Sequence, residues 1–261
     1  MLKNKLLVAA LASAFAMPAM AEFTPSSNVS LVSDYLYRGI SQSGGGAAIQ
    51  GGFDLAHSSG AYIGMWGSSI SWLGDAGGTS GSTGTAPASA NAGLELDIYG
   101  GYKGAAGPVA YDVGFLRYNY PGTYAAGVTK PDTNEVYGAA TYSIVTAKLS
   151  YALGDLFGVS KAKGSTYLEL NASYPIADTG ITVGAHYGKQ TYKGTTAEGL
   201  KTAGTDPTYS DYKLSVSKDF SGYVVGAAYS KTNAKSGGFY TNPQGKDLGK
   251  GKLVLSLSRS F

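Results

Sequence analysis

From Asn28 to the end of the chain, apolar residues recur at every second position in runs of about ten, with polar or ionised residues between them. That period belongs to a strand with two unlike faces, whereas a helix would need a repeat near 3.6. Residues 92–103 carry the pattern most plainly. Ala92, Leu94, Leu96, Ile98, Gly100 and Tyr102 share one face, and Gly93, Glu95, Asp97, Tyr99, Gly101 and Lys103 the other. The same split sets Thr166, Leu168, Leu170, Ala172 and Tyr174 against Tyr167, Glu169, Asn171 and Ser173. At the end of the chain Leu253, Leu255, Leu257, Arg259 and Phe261 alternate with Val254, Ser256, Ser258 and Ser260. The 39 glycines disfavour a helical bundle, because each interior Gly costs a helix roughly 1 kcal/mol relative to Ala. With no Cys, the chain offers neither a disulfide scaffold nor a thiolate metal site.

The pattern predicts an all-β fold of twelve strands, at roughly 28–38, 46–56, 60–72, 92–103, 108–120, 134–143, 146–154, 165–174, 180–192, 209–218, 222–232 and 251–261. The connections alternate in length. Short ones fall at 57–59, 104–107, 144–145, 175–179 and 219–221, and longer ones at 39–45, 73–91, 121–133, 155–164, 193–208 and 233–250. Short turns on one side and long polar loops on the other describe an up-and-down antiparallel transmembrane β-barrel whose two ends lie in different compartments.

The first 21 residues read as a cleaved signal peptide. Lys3 and Lys5 form a basic start, Leu6 to Met17 an apolar stretch, and Ala19-Met20-Ala21 a small-x-small cleavage site. Residues 22–261 are then expected to form a single outer-membrane barrel domain. Twenty Lys and Arg stand against 17 Asp and Glu, and two of the twenty fall in this leader. The near-neutral remainder argues against nucleic acid as a partner, since that would require a basic patch. No later segment has the run of about 18 apolar residues of a membrane helix, so entry into a membrane would be by strands.

The aromatic residues support a bacterial outer-membrane location. On the apolar face Tyr35, Tyr37, Trp72, Tyr118 or Tyr120, Tyr187, Tyr212 and Tyr229 are expected toward the long-loop ends. Tyr62, Tyr102, Tyr111, Tyr142, Tyr174, Tyr223 and Phe261 are expected toward the short turns. Two such girdles around an apolar band suit the headgroup levels of a bilayer. Membrane lipid and lipopolysaccharide are the partners this implies, with loop lysines such as Lys161, Lys193 and Lys246 placed to meet lipopolysaccharide phosphates.

By parity the inward, candidate pore-lining residues are Asp34, Arg38, Asp54, Glu95, Asp97, Asp112, Glu135, Lys148, Glu169, His186, Asp211 and Lys213. Arg117 breaks its strand's alternation and is left unassigned. Twelve strands leave a lumen between the filled eight-stranded barrels and the wide channels of 16–18 strands. The reading is a narrow polar pore passing small hydrophilic solutes or ions, with weak cation preference or none, because acids outnumber bases in the inward set. Asp34 and Arg38 could form an eyelet pair or pin the first strand to its neighbours. Inward Tyr99, Tyr137, Tyr167 and Tyr192 could stack on sugars or simply bond across the wall. Rival readings are a closed structural or adhesion barrel and a barrel enzyme. The last is disfavoured because His186 has Gly188, not Ser, two residues on. No cofactor, metal or catalytic residue is indicated.

The segments SDYLYRGISQS (33–43), GAYIGMWGSSISW (60–72), LELDIYGGYKG (94–104) and YDVGFLRYNYPG (111–122) resemble the TorF family of proteobacterial porin-like proteins. The likeness is strong in the N-terminal half and elsewhere rests on strand pattern and length. It implies an outer-membrane barrel with a channel role and names no solute. The terminal Phe261 after alternating leucines resembles the signal that the barrel-assembly machinery recognises, which makes that machinery an expected partner.

Overall fold

The computed structural model describes residues 22–75, 90–126 and 129–261. The expected signal peptide, residues 1–21, and most of the 73–91 loop lie outside the described residues. Twelve strands form the wall: β1 (Phe23–Val32), β2 (Ala48–His57), β3 (Ala61–Ser69), β4 (Leu94–Ala106), β5 (Val109–Asn119), β6 (Thr133–Tyr142), β7 (Val145–Ala152), β8 (Thr166–Ile176), β9 (Ile181–Thr191), β10 (Tyr209–Phe220), β11 (Tyr223–Thr232) and β12 (Lys252–Ser260). Each pairs antiparallel with its chain neighbours, and β1 pairs with β12 from Asn28↔Ser260 to Val32↔Ser256, closing the barrel. Closure leaves the sheet no open edge, which is what a wall in contact with lipid requires.

Local chemistry explains the strand ends. Ser221 and Gly222 both take positive φ, the conformation of a two-residue turn whose twist matches the strands it joins. β1 begins five residues earlier than the pattern predicts and includes Pro25. Residues 23–26 extend beyond the backbone pair of Ser27 with Phe261, so Pro25 faces no partner strand on that side and its missing N–H breaks no ladder bond.

The two faces are sorted as the alternation requires. Leu214, Leu253, Leu255 and Ile63 are each more than half exposed on the outer wall. Glu95, Glu135 and Asp211, on the inner wall, are almost fully buried. A contiguous apolar belt of this extent is abnormal for a protein surrounded by water. Among the described residues no helix is long and apolar enough to cross a membrane. The eight-residue helix Thr195–Thr202 lies in a connection that the sequence pattern treats as a plain loop.

Two expectations about the wall are corrected. The first strand was expected to run to residue 38, but β1 ends at Val32 and the following residues turn inside. The expected outer girdle also included residues that belong to the interior. Tyr35, Trp72, Tyr118 and Tyr120 are buried, packing with Ile70 and Leu73 inside the long-loop mouth. Tyr37 packs against that group. Tyr62 also points inward, bonding Asp112 and Tyr137. Packing among the mouth residues holds Tyr35, Trp72, Tyr118 and Tyr120 inside, and hydrogen bonds from its phenol hold Tyr62 inside near the short turns.

Candidate functional site

Residues 33–47 leave the wall and fold into a hairpin across the lumen. Its arms are Leu36–Tyr37 and Ile40–Ser41, and its tip is Arg38-Gly39. Both tip residues adopt positive φ, 47° for Arg38 and 78° for Gly39. A side chain at position 39 would place its Cβ 2.7 Å from that of Asp211 and 2.8 Å from a Thr232 methyl, so the close approach to β10 and β11 requires glycine. An arginine held left-handed is strained, and such strain persists only where surrounding contacts fix it.

Those contacts converge on the guanidinium. Arg38 donates to both Glu135 carboxylate oxygens on β6, at 3.0 and 2.7 Å, and to Gln190 Oε1 on β9 at 2.7 Å. Its charge sits 4.2 Å from the centre of the Tyr167 ring and 4.9 Å from that of Tyr37. Tyr209 donates to the Arg38 carbonyl at 2.9 Å. The tip thus reaches strands on the far side of the barrel from β1. Burial alone would lower the Arg38 pKa, but Glu135 and the phenols of Tyr37 and Tyr118 outweigh it and push it well above its ordinary value.

The base of the hairpin is fixed separately. Asp34 accepts from Lys252 Nζ at 2.9 Å, Ser41 at 2.6 Å and Ser43 at 3.0 Å. Ser41 N–H donates to the Leu248 carbonyl, and Trp72 N–H to that of Gln42. Asp34 and Arg38 therefore do not pair with each other. Each fastens a different end of the hairpin to the wall. Tyr35 donates to Glu95 at 2.9 Å. Burial and the neighbouring Glu95 and Asp97 charges push the Tyr35 phenol well above its ordinary pKa, which keeps it a donor.

The other sequence-predicted residues line the same interior. Asp54 accepts from Tyr99 at 2.7 Å and Asp112 from Tyr62 at 2.6 Å. Lys148 lies 3.8 Å from Glu169 and 4.4 Å from the Tyr137 ring centre. His186 bridges Asn171 at 2.7 Å and Asp211 at 2.9 Å, with Tyr167 also on Asp211 at 3.0 Å. Lys213 neighbours His186 across the β9–β10 ladder. The inward tyrosines bond across the wall: Tyr99 to Asp54, Tyr137 to Tyr62, and Tyr167 to Asp211. Arg117 points outward at the rim, on Asn119, Asn134 and Asp132. Among the described residues, Glu95 Oε2, Asp97 Oδ1 and Trp72 Nε1 are buried without a hydrogen-bond partner.

The hairpin divides the lumen. A cavity of about 50 Å³ lies on its long-loop side among Trp72, Tyr120, Tyr192 and Tyr240. Deeper cavities of about 220 and 260 Å³ flank residues 34–39. Sequence reasoning missed the division because Tyr35 and Tyr37 continue the alternation of β1. The signals for it were Arg38-Gly39 and the run Gly44-Gly45-Gly46 inside an apparent strand and its loop.

The sequence model of a bacterial protein family of unknown function, Gcw_chp, matches residues 16–261. No curated protein matches the chain. A solved structure described as the NanC porin superposes with a TM-score of 0.50 at 8% identity, over 91% of this chain and 99% of that one. The Acinetobacter baumannii outer membrane protein Omp33 superposes with a TM-score of 0.44 at 9% identity, over 92% of this chain and 97% of that one.

Proposed function

Since this chain belongs to the Gcw_chp family of bacterial proteins of unknown function, we propose from its geometry that it is a porin-like channel of the Gram-negative outer membrane. It passes small hydrophilic solutes through a lumen narrowed by its own hairpin. The observation that carries this reading is a polar interior containing cavities beside an internal constriction, enclosed by a closed wall that is apolar outside. An ionised side chain inside a barrel wall would cost several kcal/mol without water or partners, and Lys213, exposed inside the barrel with no partner among the described residues, fits a wetted lumen. The porin-like fold supports it. The chemistry is passive, with no group acting as a catalyst. Membrane lipid and lipopolysaccharide surround the wall, and the barrel-assembly machinery reads the segment ending in Phe261.

The hairpin also favours a second reading, a closed structural barrel. Reconstitution into planar bilayers separates the two. A channel gives discrete conductance steps and lets small sugars or amino acids swell liposomes. A closed barrel gives neither, in the wild type or after Arg38→Ala.

A further inference from the structure

Most lumen-facing charges already have partners. Arg38 holds Glu135, Lys252 holds Asp34, Lys148 faces Glu169, and His186 faces Asp211. Lys103 lies over the Tyr62 ring, 4.4 Å from its centre. Lys213 is different. Among the described residues it has no hydrogen-bond acceptor, no ion-pair partner and no aromatic ring, although it is well exposed inside the barrel. It borders both deep cavities, so a solute moving past the hairpin on either side meets its ammonium.

The 220 Å³ cavity also contains an under-used acceptor. Glu169 Oε2 accepts from Asn171 at 3.0 Å, but the nearest cation to Oε1 is Lys148 Nζ at 3.8 Å, beyond a hydrogen bond. One cavity wall therefore offers a free ammonium, and another a carboxylate oxygen open to a donor. Asn171, Ser230 and the Tyr167 hydroxyl complete a polar lining. Each heavy atom of a small solute takes less than a water's share of liquid volume, about 30 Å³, so the 220 Å³ space is large enough for a solute the size of alanine.

We propose that this cavity is a binding site for small zwitterions of the α-amino-acid class, with the solute carboxylate on Lys213 and its ammonium on Glu169. The proposal rests on the channel reading and adds a substrate class to it. A simple count of inward charges favours cations. The acids in that count are largely satisfied by partners or buried, as Glu95 and Asp97 are, whereas among the described residues the accessible charge without a partner is Lys213. A solute carrying both signs fits this lining better than a simple cation or anion, because each of its charges then gains a charge-assisted hydrogen bond.

The test is a ligand-observed NMR titration of the full chain in detergent with L-alanine, and with lactamide as a neutral solute of the same size, run beside bilayer conductance of the same preparation. L-Alanine binds at least about tenfold more tightly than lactamide, a difference of about 1.4 kcal/mol. Lys213→Gln removes that preference and Lys213→Arg restores it, which shows that the loss does not come from misfolding. Equal binding of the two solutes, or an unchanged preference in Lys213→Gln, overturns the site while leaving a conducting pore intact. Absent conductance overturns the channel reading instead, even if L-alanine binds.

Discussion

Removing the Arg38 side chain should loosen the hairpin more than any other single change. Arg38→Ala deletes two hydrogen bonds to Glu135 and one to Gln190, together with the packing of the guanidinium over Tyr167 and Tyr37. The Arg38 and Glu135 side chains are only 7% and 3% exposed, so the carboxylate, left with the Tyr118 hydroxyl at 3.2 Å as its donor, cannot be rehydrated while the hairpin stays in place. Breaking one partner of such a buried pair costs about 3–5 kcal/mol. At about 1.4 kcal/mol per tenfold, that shifts the ratio of displaced to seated hairpin by two orders of magnitude or more. The shift should appear in planar-bilayer recordings of Arg38→Ala as larger steps and a higher open fraction than in the wild type. A double variant, Arg38→Ala with Glu135→Ala, should lose less stability than the two single changes combined, because it leaves no uncompensated buried charge. The reasoning fails if Arg38→Ala is indistinguishable from wild type in step size, open fraction and urea midpoint.

Other positions give independent checks. Asp97→Asn replaces a buried carboxylate that has an unpartnered oxygen, and should raise unfolding stability by about 1–3 kcal/mol in a urea titration followed by heat-modifiable gel mobility. Gly101→Ala would drive a methyl against the Val113 carbonyl and the Tyr62 hydroxyl, so it should lower stability by about 1–3 kcal/mol in the same assay. Leu214→Arg, on the outer wall, should cost about 2–4 kcal/mol in lipid if it lies near the midplane, whereas Ser215→Arg, facing the lumen, should cost far less.

The wall was legible because one physical constraint acts on every strand: apolar residues must face out and polar residues in. Leu94, Leu96 and Ile98 against Glu95, Asp97 and Tyr99 state that constraint directly, and a one-residue slip would reverse both faces. The hairpin escaped because it is packed on several sides, so it is not required to alternate for the same reason as the wall. Tyr35 and Tyr37 are apolar rings at strand spacing, but they serve the interior of the mouth. The partners of Arg38 were not legible at all. Glu135 and Gln190 lie 97 and 152 residues away, and no local pattern encodes which strands a tip will reach. Asp34 was readable as a structural anchor, but Lys252, its partner, lies 218 residues further on.

The sharpest test of the barrel and its faces uses two adjacent positions on β10. Lys213 and Leu214 are consecutive, yet one looks into the lumen and the other outward. The natural chain has no cysteine, so Lys213→Cys and Leu214→Cys can each carry a single environment-sensitive dye. In lipid vesicles the dye at 214 should be quenched by nitroxides on acyl chains and not by aqueous iodide, and the dye at 213 should show the reverse. Equal response of the two sites to either quencher would contradict a closed wall that is wet within and oily without.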